Sequence, residues 1–338
     1  MSALAHDGTA ALEARRFGDA LEAFTRATAI RPDDSSLSFG AGVAAFMLGQ
    51  DGLAQTRFER ALALSPGYLA AAQWLGDLHY RAGRLSEAIA VYEAARLRSP
   101  DGYELQSQLD EWRRELDLQS RFREVRTEHF VALFESVADE PTARRMVERL
   151  EAAYARIGAT LGVYPSRRIT AVLYTREQYS KITGLDTWSA AAYDGRIRVP
   201  LSDTLTRPEE LDRVLSHELV HALVTNIGGR TVPAWISEGL ASVLEPAGSA
   251  ELESRLKPAD TPPRLSKLHR NFGGFSARDA DIAYALSARA VRRLIEQHGA
   301  ASLVALLKDL SRGAAFTRAF QERLGVQYEE FVAIAERQ

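Results

Sequence analysis

The chain has 338 residues, which at about 150 residues per domain points to two or three domains, and to at least one core that needs no disulfide staples. Apolar residues make up 46% and charged residues 26%, globular proportions that exclude disorder along most of the length. A balance of 42 basic against 45 acidic residues excludes the basic footprint of a general nucleic-acid binder, and the lack of cysteine excludes thiolate metal sites, iron–sulfur clusters and cysteine nucleophiles, so a bound metal must take His, Asp or Glu ligands.

The first twenty residues, MSALAHDGTAALEARRFGDA, alternate charge and alanine and contain no apolar signal core. No apolar run reaches the roughly 18 residues that cross a bilayer. As given, the chain reads as cytoplasmic with no membrane span. Removal of an export signal would leave the same sequence on a periplasmic or secreted protein.

A period of 34 residues runs through the N-terminal third. Gly8, Gly42 and Gly76 share one column, as do Ala20, Ala54 and Ala88, and then Ala27, Ala61 and Ala95. Phe24, Phe58 and Tyr92 form an aromatic column, and Pro32, Pro66 and Pro100 close the units. Small residues let paired antiparallel helices approach, the aromatic fills the gap towards the next unit, and proline ends the second helix. The pattern resembles the tetratricopeptide repeat over residues 1–102, departing at Leu4 and Ala11, where larger residues are frequent. Tyr103 to Leu118 is expected as an amphipathic helix covering the last repeat. Residues 1–118 thus read as an α-solenoid of three repeats plus a capping helix. Such a surface suits a protein partner; a spacer or dimerisation element is the alternative.

From Ser120 the composition changes. EVRTEHFVALFES alternates as a strand or strand pair, Asp139 to Leu161 is helical, RRITAVLYT is a second strand, and AAYDGRIRVPL is a third with Asp194-Gly195 at a turn or bulge. Helix dominates from Pro208. Strands followed by helices predict an α+β arrangement in place of a doubly wound parallel sheet, so the chain as a whole is mainly α with a small α+β part.

LSHELVHALV carries His217, Glu218 and His221 in an H-E-x-x-H spacing. On a helix, residues four apart share a face, so both imidazoles reach one metal ion, while Glu218 projects about 100° round. A carboxylate there is placed to take a proton from a water on the metal. Leu215, Leu219, Val220, Ala222 and Leu223 bury the helix, with Ser216 and Glu218 as polar exceptions. PAWISEGLAS follows, Pro233 to Ser242, with Gly228-Gly229 for the reversal and Pro233 suited to a first helical turn. Antiparallel helices would return Glu238 to the histidines as a third, anionic ligand and leave a fourth position open, the arrangement of catalytic zinc.

These motifs resemble the gluzincin metallopeptidases of the thermolysin-like clan, and within them bacterial peptidases that pair HELxH with WxxEGLA. The resemblance covers Phe122 to the C-terminus, its specific part being Ser216–Ser242. It implies a zincin-like domain over 119–338 that hydrolyses peptide or protein substrates, with Zn2+ on His217, His221 and Glu238 and with Glu218 as general base. The metzincin pattern would require glycine at Val224 and histidine at Ile227. Where some gluzincins orient the first histidine with an aspartate one turn after the glutamate ligand, this chain has Ser242, so another group must serve.

For a donor to the reaction's developing oxyanion, Tyr284 resembles the tyrosine of related peptidases, on a helix from Asp279 to Gly299. The alternative is an aromatic packed on the catalytic helices. His269 is a second candidate or a loop residue, while His6, His79, His129 and His298 lie outside any ligand pattern. Substrate is expected along the strand Ala190 to Val199 as an edge, beside the small residues Ser189, Ala190, Ala191 and Ala192. Glu245 to Arg278 is expected as a flap or a disordered crossing, and the last three helical segments as core closure. Against the peptidase stand two other readings, a non-catalytic binding scaffold with a structural zinc and a scaffold without metal.

Overall fold

The structure, a computed structural model, describes residues 3–165, 167–183, 192–201, 207–246, 264–269, 272 and 275–335. It divides into two compact units, Met1–Phe122 with Ser311–Ala314, and Arg123–Leu310 with Ala315–Gln338. Described residues are mainly helical, with one five-stranded sheet.

The first unit is built from three helix pairs: α1 (Ala3–Glu13) with α2 (Phe17–Ile30), α3 (Ser35–Met47) with α4 (Asp51–Leu64), and α5 (Leu69–Arg81) with α6 (Leu85–Arg96). Each helix packs on the next in sequence. The columns have the expected roles. Ala20, Ala54, Ala88 and Ala61 are fully enclosed, and a Cβ at Gly8, Gly42 or Gly76 would strike the ring of Phe24, Phe58 or Tyr92 of the same pair. Phe24 also lies against Gly40 of the next pair, so the aromatic bridges units. Arg31 and Ser65, each before a proline, end their helices outside helical backbone (φ −130°, ψ 78° and φ −140°, ψ 87°), since a proline ring disfavours the α region for its predecessor.

A sixth column becomes visible at the turns within the pairs. Arg15, Gly49 and Gly83, again 34 apart, are left-handed at φ 58°, 75° and 75°. Behind each, the next residue's N–H reaches back to the helix, Arg16 to Ala11, Gln50 to Ala45 and Arg84 to His79, at 2.8 to 2.9 Å. This is the glycine-favouring helix stop, and the first unit makes it with an arginine.

After a short 3-10 turn at Gly102–Leu105, α7 (Gln106–Gln119) covers the last pair. Trp112 stacks on Tyr80 with centroids 5.2 Å apart and meets Tyr92 at 4.5 Å. The buried Glu115 accepts a 2.8 Å hydrogen bond from the Tyr80 hydroxyl.

The second unit opens with a hairpin, β1 (Arg123–Arg126) and β2 (Phe130–Phe134), then α8 (Glu140–Leu161), β3 (Ile169–Tyr174), α9 (Arg176–Thr183), β4 (Ala192–Tyr193) and β5 (Ile197–Pro200). Sheet order is β1-β2-β3-β5-β4. β1 and β2 pair antiparallel (Arg123 opposite Phe134), β2 with β3 and β3 with β5 parallel (Phe130 opposite Ile169, Ala171 opposite Ile197), and β4 antiparallel to β5. The sheet is therefore mixed: its three central strands are parallel and separated in the chain by α8 and α9. Its pattern follows, since the internal β5 is buried at every position and the edge strand β1 buries Val125 alone.

Two expectations change here. The third strand is a hairpin, because Asp194-Gly195 makes a turn, with Gly195 at φ 113°. Most of the expected edge strand is also internal. Ile197–Val199 belong to β5, paired with β3 on one side and β4 on the other, and among the described residues β4 is the strand at that end of the sheet. Ala192 lies in that edge; Ser189, Ala190 and Ala191 lie outside the described residues.

Helices α10 (Pro208–Gly228), α11 (Ala234–Leu244), α12 (Ala277–Ser311), α13 (Phe316–Leu324) and α14 (Tyr328–Ala335) follow. α12 breaks at Gly299 (φ 78°). Its start is capped by Ser276, whose Oγ accepts from the Asp279 N–H (3.2 Å) and donates to the Asp279 carboxylate (2.7 Å), so Asp279 is the partner of the cap and not the cap itself. α13 and α14 close the core, with Phe331 and Tyr328 stacked on the buried Trp235 of α11. Most of the stretch expected as a flap, 247–263 with 270–271 and 273–274, lies outside the described residues. No helix among the described residues is long and apolar enough to cross a membrane.

Candidate metal centre

α10 starts with Pro208 in its first turn, where a missing N–H costs nothing, and with Glu209 and Glu210 beside it. It stops at Gly229, whose φ of 72° and ψ of −159° only glycine takes readily. Leu215, Leu219, Val220 and Leu223 are buried on it. Pro233 does not enter the next helix. It precedes α11 in extended backbone (ψ 137°), and the entry is held by the Trp235 and Ala234 N–H groups donating to Leu268 and His269 carbonyls at 2.9 and 3.3 Å.

α10 and α11 pack together and bring Glu238 to the two histidines. Glu238 Oε2 lies 3.5 Å from His217 Nε2 and 3.3 Å from His221 Nε2. All three candidate ligand atoms lie within 4.8 Å of one another. The rings are 4.8 Å apart at 79°, edge to face, so their inner nitrogens converge on one point. Side-chain exposures of 17 to 19% make the cluster partly accessible to solvent.

The outer nitrogens are occupied. His217 Nδ1 is 2.8 Å from Glu245 Oε1, and His221 Nδ1 is 2.9 Å from Ser237 Oγ. Partners on Nδ1 leave Nε2 as the inward ligand, the usual support of a metal-binding imidazole. Two neutral imidazole nitrogens and one carboxylate oxygen are a donor set that suits zinc.

Electrostatics follow from this crowding. Burial pushes His217 down, but hydrogen bonds to Glu238 and Glu245 and the charge of Glu218 outweigh it and raise the imidazole to about 10. Burial likewise opposes ionisation of Glu238, yet both imidazoles hold its carboxyl far below the usual range. Glu218, buried on α10, goes the other way: its desolvation exceeds the attraction of His217 and His221 and raises its proton affinity.

Gly239, next to Glu238, meets α12 directly. A Cβ there would strike the Ser287 carbonyl and lie 2.6 Å from a Val291 methyl, so the glycine sets how closely α12 approaches. That approach brings in Tyr284, a half-buried residue whose phenol is raised first by burial and then by the charges of Glu238 and Glu218. Tyr284 also packs edge to face on Phe272 at 5.2 Å.

His269 is a structural residue. Its Nε2 is 2.8 Å from the Tyr328 hydroxyl and its ring meets Phe316. His129 is paired with Glu151 at 2.7 Å, and His79 is buried in the repeat unit. His6 is exposed and His298 half-buried, and among the described residues the cluster of metal-ligating side chains comprises His217, His221 and Glu238 alone. Glu245 and Ser237 were not singled out from sequence. Ser237 stands one residue before the expected ligand, whereas Glu245 reads as the start of a polar stretch, and only the end of α11 turns it back.

Comparison with known families gives the Tetratricopeptide repeat twice, over residues 8–54 and residues 52–109. Residues 8–109 therefore carry tetratricopeptide repeats, and these imply protein partners. Comparison with curated proteins gives no match.

Proposed function

We propose that the chain is a zinc-dependent peptidase, with a repeat domain over 1–118 that recruits a protein substrate or partner and a gluzincin-like domain over 119–338. The observation that carries this is the convergence of His217 Nε2 and His221 Nε2 on Glu238 Oε2 with both Nδ1 atoms engaged elsewhere. The family matches bear on the repeats; the peptidase reading rests on the constellation and its motif.

His217, His221 and Glu238 would hold the ion. Zinc when bound supplies a Lewis acid that brings the pKa of a water in the open position to about 7. Glu218 does the proton work. It is excluded from the ligand trio, buried, and raised in proton affinity. Such a carboxylate keeps the proton it takes from the attacking water long enough to pass it to the leaving amine. A purely structural site has no use for that carboxylate. Tyr284, held protonated by burial and by its acidic neighbours, is the donor to the developing oxyanion.

Metal removal tests the reading. Purified protein should contain one zinc per chain and cleave an unfolded protein substrate. Chelation should abolish cleavage, and one equivalent of zinc should restore it. Cleavage that persists in fully stripped protein contradicts the proposal.

A further inference from the structure

Arg156, on α8, is an exposed residue to whose cation the proposed chemistry gives no role. Its guanidinium makes two hydrogen bonds to neutral acceptors. Nη1 donates to the Leu244 carbonyl at 2.7 Å, and Nη2 donates to Ser216 Oγ at 2.9 Å. Burial lowers its pKa, opposed by the charge of Asp212, which itself pairs with Arg149 at 2.8 Å. The residue is exposed, and an exposed helix position accepts most polar side chains. Packing alone does not explain an arginine here.

The two acceptors do. Ser216 immediately precedes His217, and Leu244 immediately precedes Glu245. The arginine therefore grips the neighbours of the two residues that meet at 2.8 Å through His217 Nδ1 and Glu245 Oε1. Leu244 ends α11, where the last carbonyls have no partner within the helix. Held by Arg156, the chain leaves the helix at Glu245 in extended backbone (φ −60°, ψ 153°), and the carboxylate turns back to the imidazole. A planar fork suits this task, since its two donors keep a fixed angle that an ammonium lacks. On its far side Glu245 lies 3.7 Å from Arg213, itself doubly bonded to Glu210 at 2.6 and 3.1 Å.

We propose that Arg156 is a positioning residue of the metal centre: it fixes the end of α11 so that Glu245 holds His217 with Nδ1 as donor and Nε2 as ligand. The inference rests on the metal reading above. Glu245 thereby takes the orienting role for which Ser242 is unsuited, from a place three residues later and from outside the helix.

The test uses the full-length chain. Zinc affinity is measured by competition with a chelating indicator, and the Nδ1–H signal of His217 is followed in zinc-loaded protein by proton–nitrogen spectroscopy. Glu245→Ala should weaken zinc binding by about 10–100-fold, and Arg156→Met by about 10-fold on the same basis. Both should move the Nδ1–H signal towards that of an imidazole free of a carboxylate. The double variant should bind zinc no more weakly than Glu245→Ala, because Arg156 acts through Glu245. Should Arg156→Met fail to fold, Arg156→Lys, which keeps one donor, should give an intermediate loss. Additive losses in the double variant would overturn the proposal. So would an Arg156 variant of lower melting temperature with wild-type affinity and an unmoved signal. A wild-type protein that binds no zinc would instead sink the metal reading itself, and that result appears before any variant is made.

Discussion

In the repeat unit Phe24, Phe58 and Tyr92 do one job three times, each pressed on a glycine of the facing helix. In the C-terminal unit the proposed site would rest on His217, Glu218, His221 and Glu238, and the candidate metal group occurs once among the described residues. The first arrangement spreads stability over nearest-neighbour contacts, so losing one contact weakens the array without removing a function. The second gathers three candidate ligand atoms within 4.8 Å of one another, where one oxygen would decide whether a metal has three ligands. Substitutions in the two units should therefore differ in kind. Repeat variants should change stability and leave metal binding alone.

The largest effect on the repeat side is expected at Trp112, which stacks on Tyr80 and meets Tyr92. Trp112→Ala should cost about 3–5 kcal/mol, the range for deleting a buried aromatic, seen as an earlier denaturant transition of the N-terminal unit. Zinc content should stay at one per chain; a variant that lost zinc as well would break the comparison. A smaller effect of opposite sign is expected at Arg15. It is left-handed at φ 58° where the later units use Gly49 and Gly83, a conformation that costs a non-glycine residue about 1–2 kcal/mol. Arg15→Gly should recover part of that, about 0.5–1 kcal/mol after the entropy lost by glycine. A destabilised Arg15→Gly in chemical denaturation would show that the arginine side chain, and not the turn, holds this position.

Periodicity is why the first unit was legible in sequence. Five columns in one register announce both the helix pairs and the packing between them. The sixth, Arg15 with Gly49 and Gly83, escaped because one member is not a glycine. In the C-terminal unit the candidate trio was legible because helical spacing places His217 and His221 on one face and a glycine reversal brings Glu238 back. What surrounds the trio was not. Arg156 is far from the motif in sequence and reaches it across from α8, while Glu245, three residues past Ser242, is turned back to it only by the end of α11. The sheet was misread for a similar reason: β3 and β5 pair in parallel over a crossover, and nothing local in AAYDGRIRVPL tells an edge from an interior strand.

Glu218 separates a working peptidase from a protein that merely holds zinc, so its conservative replacement is the most direct measurement. Wild type and Glu218→Gln should be compared at equal, measured zinc content against one unfolded protein substrate. The amide fills the same space and cannot accept the proton, and the loss of a general acid–base is worth about 10²–10⁴ in rate. One zinc per chain in both proteins, with cleavage reduced at least 100-fold in the variant, is the predicted result. Equal cleavage by the two would contradict the assignment of Glu218 as the base and, with it, the account of this site as a peptidase centre.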